Sequence, residues 1–226
     1  MSVSLIYVPS REIVRYVSEH PIDWLDGQRH LANRPGCLAD QAGMTPVPAV
    51  QMFLECYHDK QNLFSQKEYQ SFCFSSKVWA AWLDAKPPQQ VEAVGVKLRR
   101  NFYPAMVDAL HVWALLVETG AFDYCALDSA KDAISKTDLT VSSGGQIMRI
   151  ALSAESSAST YANGYKQSYR GGPPAQSHVI RLSMAYPKSP GNKRWYRRED
   201  FGEVIATACN RRSFPVGNAP IAMRPR

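Results

Sequence analysis

The chain is expected to fold as a mixed α/β (α+β) protein, with a central mixed sheet flanked by helices and a helical N-terminal region before it. Three observations predict this. Met106, Val107, Leu110, Trp113, Ala114 and Val117 recur at helical spacing, between Pro104 and Gly120. Residues 137–154 alternate apolar and polar on both sides of a Ser-Ser-Gly-Gly turn, the pattern of a hairpin. The order from 104 to 186 reads helix, strand, strand, strand, helix, strand, and mixed strands with intervening helices imply a sheet covered by helices.

Taken in order, Ile13, Val14 and Val17 set a short helix near 10–19. Val50, Phe53, Leu54 and Tyr57 set another near 48–58, after the Pro46–Pro48 stretch. Residues 67–84 read as one helix with Trp79 and Trp82 near its end, broken by Lys86-Pro87-Pro88. A new helical stretch begins at Gln89, which divides the chain into a mostly helical part, 1–88, and an α/β core, 89–226. Pro104 suits a first helical position, where its missing N–H has no partner to lose, and Gly120 marks the end of that helix. Phe122 to Leu127 is a short apolar strand candidate.

The hairpin has two unlike faces, because side chains alternate along a strand. Leu139 and Val141 on its first strand, and Met148, Ile150 and Leu152 on its second, form an aliphatic face. Lys136, Asp138 and Thr140, with Arg149, Ala151, Ser153 and Glu155, form the other. Residues 155–170 then read as a helix, with Ser156 or Ser157 as N-cap and Tyr161, Tyr165 and Tyr169 on one stripe. Gly171-Gly172-Pro173-Pro174 ends it. Residues 178–186 alternate like a strand, and a last helix is expected near 199–211.

At 226 residues, 45% apolar and 20% charged, the chain has an ordinary globular composition. No apolar run approaches the length of a membrane span, and the opening residues MSVSLIYVPSREIVRYV lack the basic and apolar regions of a signal peptide. Five scattered cysteines without a Cys-x-x-Cys pair point to reduced thiols and a cytoplasmic protein, not to a zinc ribbon or a disulfide framework. The net charge of +6 is unevenly spread: residues 166–226 hold twelve Lys and Arg against three Asp and Glu, while the rest of the chain is slightly acidic. Such a field attracts polyanions, nucleic acid being the commonest. Lys193, Arg194, Trp195, Tyr196, Arg197 and Arg198 combine four cations with two aromatics, suited to phosphate contact and base stacking. Lys166 and Arg170 lie one turn apart and suit phosphate contact too.

The element order, with Asp138 on the second core strand and Glu118 near the end of the first helix, resembles the PD-(D/E)XK superfamily, the restriction-endonuclease-like fold. The resemblance covers about 80 residues. It implies a Mg²⁺-dependent phosphodiester hydrolase, an endonuclease, in which Asp138, Glu155 and Glu118 hold metal. Lys136 or Lys166 would supply the cation that stabilises developing charge. The third strand departs from the pattern: the acid-x-Lys pair should fall near Ala151 and Ser153. A non-catalytic nucleic-acid-binding subunit of a larger complex on a degenerate nuclease fold therefore stands beside the hydrolase, with a protein–protein scaffold as a third reading.

Plain structural uses exist for the same residues. Asp138 suits a turn, Glu155 the first turn of a helix, and the tyrosine stripe the packing of a helix on a sheet. No phosphate loop, nucleophile elbow or His-Glu-x-x-His helix occurs.

Overall fold

The computed structural model describes residues 6–22, 42–44, 46–127, 139–155, 178–185, 195 and 197–202. The helix expected at 155–170 with its tyrosine stripe lies outside them, and so do the turn at 171–174 and most of the last helix.

Helix α1 (Ser10–Glu19) buries Ile13 and Val17, one turn apart on one stripe. Helix α2 (Pro46–Lys60) follows with Val50, Phe53, Leu54 and Tyr57 buried as expected. The single helix predicted over 67–84 is two: α3 (Gln66–Ser75) and α4 (Lys77–Asp84), separated by Ser76 in an extended conformation. Helical periodicity continues through this break, so spacing alone could not place it. Helix α3 opens on a capping box, in which the Ser65 hydroxyl accepts from the Glu68 N–H and the Glu68 carboxylate accepts from the Ser65 N–H at 2.8 Å.

Helix α5 (Pro88–Lys97) starts where Pro87 and Pro88 allow, then runs without a stop into a π turn (Leu98–Phe102) and helix α6 (Tyr103–Thr119). Pro104 lies in the first turn of α6, as expected, although the helical run continues into it from α5. With no N–H, it cannot donate to a carbonyl in the preceding turn. The π turn absorbs that defect, the Tyr103 N–H reaching back to the Leu98 carbonyl. Gly120 closes α6 in the left-handed conformation, at φ 61°.

Four strands form one sheet in the order β1 (Tyr124–Leu127), β2 (Leu139–Ser143), β3 (Gln146–Glu155), β4 (His178–Ala185). β1, β2 and β3 are antiparallel in sequence, and β4 pairs parallel with β3 from Met148↔His178 to Glu155↔Ala185. The first strand begins at Tyr124, two residues later than expected, and is only partly buried. The β2–β3 turn is the tight pair Gly144-Gly145, with φ 55° and 75°. Positive φ at both central residues matches the right-handed twist of the strands and suits glycine. Asp123 ties this turn to β1, its carboxylate accepting from the Gly144 N–H at 2.7 Å. The protein is thus a mixed helix and sheet structure with a mixed sheet, as its sequence implies.

One apolar cluster joins the helices of 1–88 to α6 and to Leu139, Val141, Met148 and Ile150 of the hairpin. Phe53 sits at the centre of the helical part, its ring 4.9 Å from Phe64, 5.7 Å from Tyr69 and 5.8 Å from Tyr103. The sheet is held to α6 from the edge as well, Trp113 Nε1 donating to the Cys125 carbonyl at 3.0 Å. Burial pushes the thiols of Cys56 and Cys73 up to about 12, so both stay protonated and inert.

Candidate functional site

The register places a second set of residues on the sheet face opposite the aliphatic one. Tyr124, Ser142 and Ile147 form one cross-strand row, and Ala126, Thr140 and Arg149 form the next. Antiparallel partners share a face and successive rows lie about 7 Å apart. The faces therefore follow the alternation read from the sequence.

Burial on this face does not follow simple alternation. Thr140 is only 4% exposed although it faces away from Leu139 and Val141, so β2 is enclosed on both sides at this row. Arg149 is half-buried. Its Nε and Nη1 are shielded from solvent and have no hydrogen-bond partner, and the Thr140 Oγ1 opposite it in register has none either. Guanidinium nitrogens enclosed without an acceptor are costly, because they have lost water and gained no anion. Beside this pair, Tyr124 is 44% exposed and Ile147 is 55% exposed. Cationic donors, a hydroxyl and an exposed phenol ring thus share one sheet face. Chemically, the exposed ring can stack a base, and the solvent-facing part of the half-buried Arg149 can meet a phosphate. Arg149 and Thr140 are not among the sequence-predicted site residues; the readable signal was Arg149 alternating into the polar face of a strand.

Of those site residues, Lys136, Asp138, Lys166, Arg170, Lys193, Arg194 and Tyr196 lie outside the described residues. Glu155 is the last residue of β3, its backbone paired in register with Ala185. β3 extends through Ala151 and Ser153, so the strand expected for the acid-x-Lys pair is formed even though the pair is not.

Glu118 is committed elsewhere. One carboxylate oxygen accepts from the Ser10 N–H at 2.7 Å and from the Tyr7 hydroxyl at 3.0 Å, and the other from the Ser10 hydroxyl at 2.7 Å. This carboxylate caps the N-terminus of α1, satisfying a free N–H and complementing the helix dipole. Burial alone would raise its pKa; the hydrogen bonds from Ser10 and Tyr7 win and hold it below the usual carboxylate value of 4.5. Tyr7 responds in the opposite sense, pushed up to about 12 by burial and by its bond to Glu118. A role for Glu118 in holding Mg²⁺ would require it to leave that cap. Among the described residues, no group of three His, Cys, Asp or Glu side chains is placed to hold a metal ion.

Trp195 is half-buried against the core, its ring 4.6 Å from that of buried His111 on α6. Phe201, in the short 3-10 turn Arg198–Phe201, is buried as well. The two aromatics anchor this segment to α6 and leave Arg197 and Arg198 exposed. Trp195 therefore has a packing contact on α6 through its ring. No helix among the described residues is long and apolar enough to cross a membrane.

No family model, curated protein or solved structure matches the chain.

Proposed function

We propose that this chain binds nucleic acid as the non-catalytic partner in a complex, on a restriction-endonuclease-like sheet, and that the Arg149 face receives the phosphate backbone. The observation that carries this reading is Arg149, half-buried with its Nε and Nη1 unpartnered, opposite the unpartnered Thr140 hydroxyl and beside the exposed Tyr124. A phosphate oxygen supplies what those donors lack. The positive excess of residues 166–226, with Arg197 and Arg198 exposed, adds the longer-range attraction that phosphate binding uses. The cap formed by Glu118 favours binding over hydrolysis, since it removes one of three carboxylates that the metal site would draw on.

A Mg²⁺-dependent endonuclease is the second reading, favoured by the order helix, three strands, strand and by Glu155 at the end of β3. It rests on Asp138, Glu155 and a lysine at 136 or 166, with Mg²⁺ supplying the activated water.

One experiment tests both. Labelled single- and double-stranded DNA and RNA are incubated with the full chain and Mg²⁺ or Mn²⁺, and binding and cleavage are recorded in the same tubes. Arg149→Met is expected to weaken binding about tenfold or more and to lower the salt slope by about 1. Wild-type cleavage abolished by Asp138→Ala replaces the binding reading with the nuclease. Absence of salt-sensitive binding to all four probes refutes both and leaves a protein scaffold.

A further inference from the structure

A second surface, on the helical part, has the composition of an anion site. An open cleft of about 650 Å³ lies between α3 and the π turn, lined by Lys67, Gln70, Ser71, Phe74, Ser75 and Arg99. These residues supply two cations, two hydroxyls, one amide and one ring, and no carboxylate. A smaller hollow of about 210 Å³ also has Lys67 in its lining, with His20 and Gln66.

Among the described residues, no carboxylate forms an ion pair with either cation. The Arg99 Nε is shielded from water and has no hydrogen-bond partner, although its carbonyl accepts from Gln66 Nε2 at 2.6 Å. The carboxylate next to Lys67 in sequence, Glu68, is engaged by Lys60 at 3.0 Å and by the Ser65 N–H at 2.8 Å, which leaves Lys67 unpaired and exposed. The π turn has a direct part in this. By inserting an extra residue per turn ahead of Pro104, it changes the direction in which Arg99 leaves the helix, and such turns are frequent at functional sites. Gly95 brings α5 close to α3: a Cβ there would lie 2.4 Å from Gln70 Nε2, so the missing side chain makes room for the amide at the cleft.

We propose that this cleft binds a phosphate group, with Arg99 and Lys67 as the charged donors and Ser71, Ser75 and Gln70 completing the shell. The group can belong to a nucleic-acid backbone or to a small phosphorylated molecule; the shared chemistry is a tetrahedral anion on an arginine and a lysine. This site does not rest on the Arg149 reading, which uses a different face.

The test titrates the full chain with inorganic phosphate, following backbone amide shifts in α3 and the π turn, and separately with a labelled single-stranded oligonucleotide. Lys67→Gln, Arg99→Gln and Ser71→Glu are compared with wild type, and melting curves report whether each variant folds. Phosphate is expected to shift the amides around 67–75 and 99, and each variant to reduce that response at least severalfold. If the same variants weaken the oligonucleotide and lower its salt slope by about 1 per cation removed, the phosphate is that of a nucleic acid. If they weaken only inorganic phosphate, the ligand is a small phosphorylated molecule. Lys67 and Ser71 are exposed, so their variants carry the test even where Arg99→Gln destabilises the π turn. Amide shifts absent in wild type, or unchanged in folded Lys67→Gln and Ser71→Glu, overturn the proposal.

Discussion

The buried tyrosines of the helical core and the polar groups on the outer face of the sheet are satisfied in opposite ways. Among the helices, each buried tyrosine hydroxyl donates to a backbone carbonyl: Tyr57 to Ile6 at 2.7 Å, Tyr69 to Ala49 at 2.6 Å, and Tyr103 to Phe64. Each of those bonds joins segments at least 20 residues apart. On the sheet face, the Thr140 hydroxyl and two nitrogens of Arg149 have no acceptor. Satisfied groups specify one packing of the helices. Unsatisfied groups contribute nothing to the fold and cost free energy, which is the expected state of groups reserved for something outside the chain.

This contrast can be broken from either side, and the largest effect is expected where packing is densest. Phe53→Ala removes the ring that touches Phe64, Tyr69 and Tyr103 and should cost about 3–5 kcal/mol, read as the loss in denaturant unfolding. A loss below about 2 kcal/mol would show that the aromatic cluster is looser than its ring distances imply.

Next comes Glu118→Ala, which removes the cap of α1 and should cost about 1–2 kcal/mol near neutral pH. The effect has a definite pH dependence. Because the folded carboxyl sits below 4.5, the unfolded chain binds more protons just under that pH, and the contribution disappears as pH falls through the folded value. Melting temperatures of wild type and variant should therefore converge in acid. On the alkaline side, Tyr7 keeps its proton up to about 12 while an unfolded tyrosine loses it near 10, so wild-type stability also falls across that window.

Thr140→Val should move stability the other way, leaving it unchanged or raising it by up to about 1 kcal/mol, since it replaces an orphaned hydroxyl by a methyl of similar shape. A loss of more than about 1 kcal/mol in thermal unfolding would mean that the hydroxyl is satisfied, and the contrast would fail. The smallest effect is expected at Gly95→Ala. Helix propensity favours alanine by about 1 kcal/mol, while the new Cβ must displace the Gln70 amide and crowd Phe74 at 3.3 Å, so the net change should stay within about 1 kcal/mol. Its informative readout is the phosphate response of the cleft, which should change because Gln70 moves.

Much of this architecture was legible in the residues. The spacing from Met106 to Val117 and the stop at Gly120 define α6, and the Gly144-Gly145 pair between alternating runs defines the hairpin and its register. The candidate site was less legible. Arg149 was correctly assigned to the polar face, but that it is enclosed and lacks partners could not be read from its neighbours in sequence. Lys67 and Arg99 are 32 positions apart and look like ordinary surface cations until α3 and the π turn bring them to one cleft.

What the sequence determined by itself is whatever a few adjacent residues can decide. A helix forms where an apolar stripe recurs every three or four residues. A two-residue turn forms where glycines accept positive φ, and a strand has two faces because its side chains alternate. Everything that depends on a partner far along the chain was decided only by the tertiary structure: Glu118 capping α1 across 108 residues, Trp195 meeting His111, and Thr140 enclosed on the polar side of its strand. Local backbone preferences act within one turn or one hairpin, whereas burial and hydrogen-bond partners depend on how the packed elements exclude water and bring distant groups together.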